Sequence, residues 1–257
     1  MKNLRIIPRL DIKGPNLIKS IQLEGLRVIG DPNVFAKKYY QQGADELLYM
    51  DVVASLYGRN SLKELISKAA KDVFIPITVG GGIRSIDDAK EILRSGADKI
   101  AINSAAVKDP SLISKLITEF GSQSIVVSIE AKVLSEGKWE VYIENGREKT
   151  GVDVLEWSKI CNELGAGEII LTSIDNEGTR RGFDMELVKK VQNIIDVPLI
   201  VCGGMGKLEH FEELSKVENV DAVSMADVLH YNRLTIKEIK KYGLSKGLKI
   251  RQIYEKK

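Results

Sequence analysis

Histidine and cysteine are nearly missing from this chain, with two of each among 257 residues. Neither His210 nor His230 stands in an HxxxH or HExxH spacing, so a histidine-built metal site is not expected, and no cofactor motif takes its place. Cys161 and Cys202 are far apart, which argues against a disulfide framework and for a reduced, cytoplasmic setting. Excess charge is missing too. Lys plus Arg number 38 against 36 for Asp plus Glu, a net of +2, so no global field recruits nucleic acid or an anionic membrane. No apolar run approaches the roughly 20 residues a spanning helix needs. The N-terminal "MKNLRIIPRLDIK" meets charge too early for a signal peptide. A dinucleotide-type GxGxxG is also absent after the first apolar run. The lysines that crowd residues 235–257 read as a solvated terminal helix and tail.

What is present is rhythm. Eight short apolar runs read as strands, at 4–11, 46–51, 75–80, 99–103, 124–130, 168–175, 198–203 and 222–227. Their nearly continuous apolar character suits parallel strands buried on both faces. Helix starts fall between them. Asp31-Pro32 and Asp109-Pro110 each place a capping residue before proline; Ser61 with Glu64, and Ser85 with Asp88, form capping-box patterns. Strand–helix alternation repeated eight times predicts a (β/α)8 barrel, with residues 1–257 as one domain. The segment 138–151, "KWEVYIENGREKTG", alternates around Asn145-Gly146 and predicts a small β-hairpin inserted after the fifth strand.

The chain also repeats itself. "IPITVGGGI" (75–83) aligns with "VPLIVCGGM" (197–205) at an offset of 122, and Glu46 meets Glu168 at the same offset. "RLDIK" (9–13) meets "SIEAK" (128–132) at an offset of 119. Matches at one stage of the βα cycle predict two half-barrels closed into one. The glycines of both copies fall at the C-terminal ends of strands, the face where such barrels carry their sites. Glycine lets backbone N–H groups approach an anion closely. Two equivalent groups predict two anion subsites across the mouth, hence a substrate with two phosphates.

The motifs "RIIPRLDIK", "TVGGGIRS", "GADKIAINSAAVKDPSLI", "FGSQSIVVSIEAK", "GAGEIILTSIDNEGT" and "CGGMGKLEHF" together resemble the cyclase subunits of imidazole glycerol phosphate synthases, over about residues 4–240. The resemblance implies a barrel enzyme of histidine biosynthesis, a lyase, partnered by a separate glutaminase on its N-terminal face. Ammonia would pass through the barrel and attack a phosphorylated ribulose-type ketone, with ring closure and cleavage following.

It also implies roles. Asp11 matches the first catalytic carboxylate, and Glu130 the second, where the family usually has the shorter aspartate. Gly82, Asn103 and Ser104 match one phosphate subsite, with Lys19 in a flexible first loop. Glu177, Gly178, Thr179, Gly203, Gly204 and Asp227 match the other. There, Glu177 stands where the family usually has aspartate, and Asp227 where it has serine. A carboxylate beside phosphate is repulsive unless compensated, and Arg180 or Arg181 is within sequence reach. Arg5, Glu46, Lys99 and Glu168 match a charged ring that gates ammonia, and Asp98 a position facing the glutaminase. Arg9 replaces a small residue and, pointing inward, adds a cation near Asp11 and Glu130.

Three rival functions remain at this point. A paralogue could use the same ammonia to amidinate a sugar for surface glycans, which Arg9, Glu130, Glu177 and Asp227 favour. A phosphosugar isomerase shares the two-half barrel. A non-catalytic activator of a glutaminase would keep only the bottom face.

Overall fold

A computed structural model describes residues 3–54 and 62–252. Eight parallel strands close on themselves in the order β1 (Arg5–Lys13), β4 (Leu47–Asp51), β5 (Ile77–Gly80), β6 (Lys99–Ile102), β7 (Ile125–Ser135), β10 (Glu168–Ser173), β11 (Leu199–Cys202), β12 (Val220–Met225) and back to β1. Helices follow each strand, so the architecture is a (β/α)8 barrel. No helix among the described residues is long and apolar enough to cross a membrane.

Strand alternation sorts the side chains into two layers. Ile6, Leu10, Tyr49, Val79, Ile129 and Leu171 face outward and pack with the helices in the main core. Ile7, Leu48, Met50, Ala101, Val126, Ile170, Ile200, Cys202 and Ala222 point into the lumen and form a separate apolar layer.

Local sequence explains the helix starts. The Asp31 side chain accepts from the Asn33 amide ahead of the helix Pro32–Gln41, and Ser85 accepts from the Asp88 amide ahead of Ile86–Arg94. Asp109 was expected to cap a helix starting at Pro110; instead Pro110 is the N-cap of Ser111–Phe120, which starts one position later, and Asp109 accepts from the Ser111 amide from just outside it. The box at Ser61 and Glu64 falls partly outside the described residues; the helix there begins at Lys63. The tail beyond residue 252 is likewise outside them.

The half-barrel repeat is visible in backbone geometry. Gly81 and Gly203 both have positive φ, +102° and +97°. A Cβ on Gly81 would sit 2.3 Å from the Asp51 carbonyl oxygen, and one on Gly203 would sit 2.7 Å from that of Ser173. Each glycine therefore lets its turn lie against the end of the preceding strand, a packing requirement independent of any ligand.

Two segments extend the barrel at its C-terminal mouth. Strand β8 (Lys138–Ile143) runs antiparallel to the long end of β7, and β9 (Glu148–Asp153) runs antiparallel to β8. The segment 19–31, expected as a flexible first loop, lies largely in a hairpin that spans residues 16–30. Strands β2 (Asn16–Ile21) and β3 (Glu24–Gly30) pair antiparallel, and β2 also pairs with β1. Leu17 and Ile18 are buried there, which gives this hairpin an apolar anchor.

Candidate active site

The lumen can be followed from bottom to mouth along β1, whose inward positions are Arg5, Ile7, Arg9 and Asp11. At the bottom, Arg5 Nη1 lies 3.0 Å from Glu46 Oε2 and 3.0 Å from Glu168 Oε1. Lys99 Nζ makes the same two contacts, each at 3.0 Å. The result is a closed ring of alternating charge, tied to β5 by Thr78, which donates to Glu46 at 2.5 Å. Charges at strand starts are expensive to bury singly, and the alternation offsets that cost. Asp98 is next to the ring in sequence but exposed, and its carboxylate accepts from the Ile77 amide at 2.8 Å. Asp45 and Asp221 do the same for Ile6 and Leu199, so this residue type recurs as a cap on strand starts.

Above the ring lies the apolar layer, and above that Arg9, Asp11 and Glu130, all buried. Arg9 does point inward, and its Nε donates to Asp11 Oδ1 at 2.8 Å. Burial alone would raise the Asp11 pKa, but Arg9 and Lys19 outweigh it and hold the carboxyl below its ordinary value. Glu130 goes the other way. Burial raises it to about 7, against the pull of Arg9 and of the Gly146 amide, which donates to Oε2 at 2.8 Å. Two carboxyls at one mouth thus hold their protons in opposite senses, the pattern that acid–base chemistry requires.

Gly82, Asn103 and Ser104 come together as expected, lining a cavity of about 300 Å³ that Glu130 also borders. Asn103 donates to the Tyr142 carbonyl at 3.2 Å, and its Oδ1 has no hydrogen-bond partner among the described residues; Ser104 Oγ accepts from the Glu144 amide at 3.0 Å. Lys108 lines the same cavity, and no expectation included it. Its signal was available: it sits four residues after Ser104, on the same face of one helical turn.

Lys19 is not part of this group, which corrects its placement. Because the hairpin of residues 16–30 folds against the loop after β10, Lys19 is buried in an ion pair with Glu177. The Gln22 amide donates to the Glu177 carbonyl, and a Cβ on Gly178 would meet the Ser20 carbonyl at 2.6 Å. Burial lowers the Lys19 pKa, but Glu177 and Asp11 more than reverse it. Asp227 is buried in the same half and lies 3.5 Å from Arg180 and 3.8 Å from Arg233. Its pKa is raised by burial, with both arginines opposing. Arg180 is thus the compensating partner, whereas Arg181 turns to the Asp175 carbonyl. Thr179 donates to the Asn176 carbonyl at 2.7 Å, and Gly204 lies so close to Gly182 that a Cβ would be 1.9 Å from its oxygen. The two halves share a backbone plan and differ in charge.

Buried His230 was assigned no role. It meets the Tyr39 hydroxyl at 2.6 Å, and burial lowers its pKa to about 4, so it is neutral at physiological pH.

The model of the family described as "Histidine biosynthesis protein" matches residues 5–235. The chain is similar to the "Imidazole glycerol phosphate synthase subunit HisF" of Legionella pneumophila, at 64% identity over 211 residues, 82% of this chain and all of that one. It is also similar to the subunit of that name from Prochlorococcus marinus (strain AS9601), at 49% over 253 residues, 98% of this chain and 99% of that one.

Proposed function

The chain belongs to the histidine biosynthesis protein family, and we propose on that premise that it is the ammonia-accepting cyclase subunit of an imidazole glycerol phosphate synthase. It is an enzyme of histidine biosynthesis that acts with a separate glutaminase subunit. We place it in the cytoplasm, residues 1–257 acting as one barrel domain, with the glutaminase on the N-terminal face around Arg5, Glu46, Lys99, Glu168 and Asp98.

The observation that carries this function is the line through the barrel. A charged ring closes one end, an apolar lumen follows, and two buried carboxyls with opposite pKa shifts stand at the other. Ammonia released by the glutaminase enters when the ring opens. It travels as the neutral molecule, because an apolar layer disfavours ammonium. At the mouth it attacks the ketone carbon of a substrate whose phosphate is held by Gly82, Asn103, Ser104 and Lys108. Asp11, ionised, takes the proton that the attacking nitrogen sheds. Glu130, protonated up to about pH 7, gives one to the departing oxygen. Ring closure and cleavage then yield imidazole glycerol phosphate and an aminoimidazole carboxamide ribotide. The second half of the mouth, at Gly178, Thr179, Gly203 and Gly204, receives the other phosphate, and Arg180 and Arg233 offset Asp227 there.

Amidination of a sugar rests only on Arg9, Glu130, Glu177 and Asp227, and relatives at 64% and 49% identity do not favour it. The test is ammonium-driven turnover of the two-phosphate ketone by the purified chain, followed by release of the aminoimidazole product. Turnover of a sugar in its place would transfer the assignment to the amidinating reaction.

A further inference from the structure

Arg9 occupies an unusual position for a guanidinium. It lies in the barrel lumen with 1% of its surface exposed, between Ile7 of the apolar layer and Asp11 at the mouth. From β1 it reaches across to two other strands: Nη1 donates to Thr172 Oγ1 at 3.2 Å and meets Cys202 Sγ at 3.8 Å. Nη2 is buried and has no hydrogen-bond partner among the described residues. An arginine buried with one N–H group unpaired is a poor choice for packing alone.

Among the described residues its single charged hydrogen bond is Nε to Asp11 Oδ1, at 2.8 Å. The other oxygen, Oδ2, is buried and has no partner among them. Glu130 has no such contact there and accepts from the Gly146 amide. The remaining groups that act on Arg9 are Cys202 on β11, Glu177 after β10, Lys19 on β2 and Glu130 on β7. His230 interacts with its backbone. Cys202 is a buried thiol kept protonated, and Glu177 is already paired with Lys19. Asp11 is therefore the one carboxylate among the described residues that Arg9 holds directly.

We propose that Arg9 is a positioning residue that divides the roles of the two mouth carboxyls: it clamps Asp11 as the ionised partner by Oδ1, presents Oδ2 to the reacting atoms, and leaves Glu130 to carry the proton. The proposal rests on the cyclase assignment for its kinetic arm only, because protonation is read without substrate.

The experiment is carboxyl titration by NMR of the whole chain, labelled with ¹³C at Asp and Glu side chains, for the wild type, Arg9→Met and Arg9→Lys. Loss of the cation in Arg9→Met raises the pKa of Asp11 by about two pH units, a hundredfold in proton affinity. Glu130 rises with it, because Arg9 also lowers that group. In Arg9→Lys the charge stays and the directed Nε–H is lost. Asp11 then remains low, while kcat of ammonium-driven turnover falls about tenfold or more with KM nearly unchanged. Should Arg9→Met fail to fold, Arg9→Gln carries the same titration. An Asp11 titration unchanged by removal of the cation, or full kcat in Arg9→Lys, overturns the proposal. The predicted titration without turnover of the ketone would instead leave Arg9 in its role and remove the cyclase substrate.

Discussion

Glu130→Gln is the perturbation whose size the structure sets most directly. Glu130 is 4% exposed, and burial moves its pKa from an ordinary 4.5 to about 7. In the unfolded chain the group ionises near the ordinary value. Between those two pH values the folded state therefore binds more protons, and stability falls as pH rises. At about 1.4 kcal/mol per pH unit the loss is roughly 3 kcal/mol, complete above about pH 7. Glutamine keeps an oxygen for the Gly146 amide, fills nearly the same volume and does not titrate. The stability difference between variant and wild type should thus change by roughly 3 kcal/mol in favour of the variant between pH 4 and pH 8. Urea denaturation at closely spaced pH values measures it, and ammonium-driven turnover should be lost at every pH. A difference constant across that range would mean that Glu130 ionises normally, and the acid role would lose its physical basis.

Three further outcomes follow from the same geometry. Lys99→Ala leaves Glu46 and Glu168 sharing Arg5 alone, so glutamine-driven turnover should fall more than ammonium-driven turnover; an equal loss in both would indicate structural damage rather than faulty delivery. Asp227→Ser frees Arg180 and Arg233, and calorimetry should show a two-phosphate ligand binding about tenfold tighter with a one-phosphate ligand unaffected. If the wild type already strongly prefers two phosphates, Asp227 does not oppose the second. Phe74 is 76% exposed just before β5 on the N-terminal face, so Phe74→Ser should weaken glutaminase binding about tenfold and spare ammonium-driven turnover; unchanged affinity would place the partner elsewhere.

The barrel was legible because buried parallel strands must be apolar almost throughout, and because strand ends recur at a fixed stage of the repeat. The ring residues Arg5, Glu46, Lys99 and Glu168 lie at or beside strand starts, and Asp11 and Glu130 lie toward the mouth on strands that run on past them, to Lys13 and Ser135; the resemblance pointed to all six. Gly82, Asn103 and Ser104 were legible as neighbours on adjacent βα turns. Lys19 was not, because its partner is 158 positions away and is brought to it only when the hairpin of residues 16–30 closes on the loop after β10. Glycines posed another difficulty. Gly81 and Gly203 are also required where the turn presses on the end of the preceding strand, so a glycine at these turns is not by itself a sign of an anion. Asp98 read as an interface charge, and its bond to the Ile77 amide, shared in kind by Asp45 and Asp221, appears only once neighbouring strands are aligned.

The central claim is that Asp11, near the mouth end of β1, takes the proton shed by ammonia delivered through the lumen, and Asp11→Asn tests it most directly. The substitution keeps the size of the side chain and removes the charge that Arg9 holds. Turnover should be measured with saturating ammonium salt, which bypasses the glutaminase and the ring, alongside circular dichroism and two-phosphate ligand binding to establish that fold and site persist. The account predicts that fold and binding survive while product formation disappears. Near-normal turnover by Asp11→Asn would contradict it.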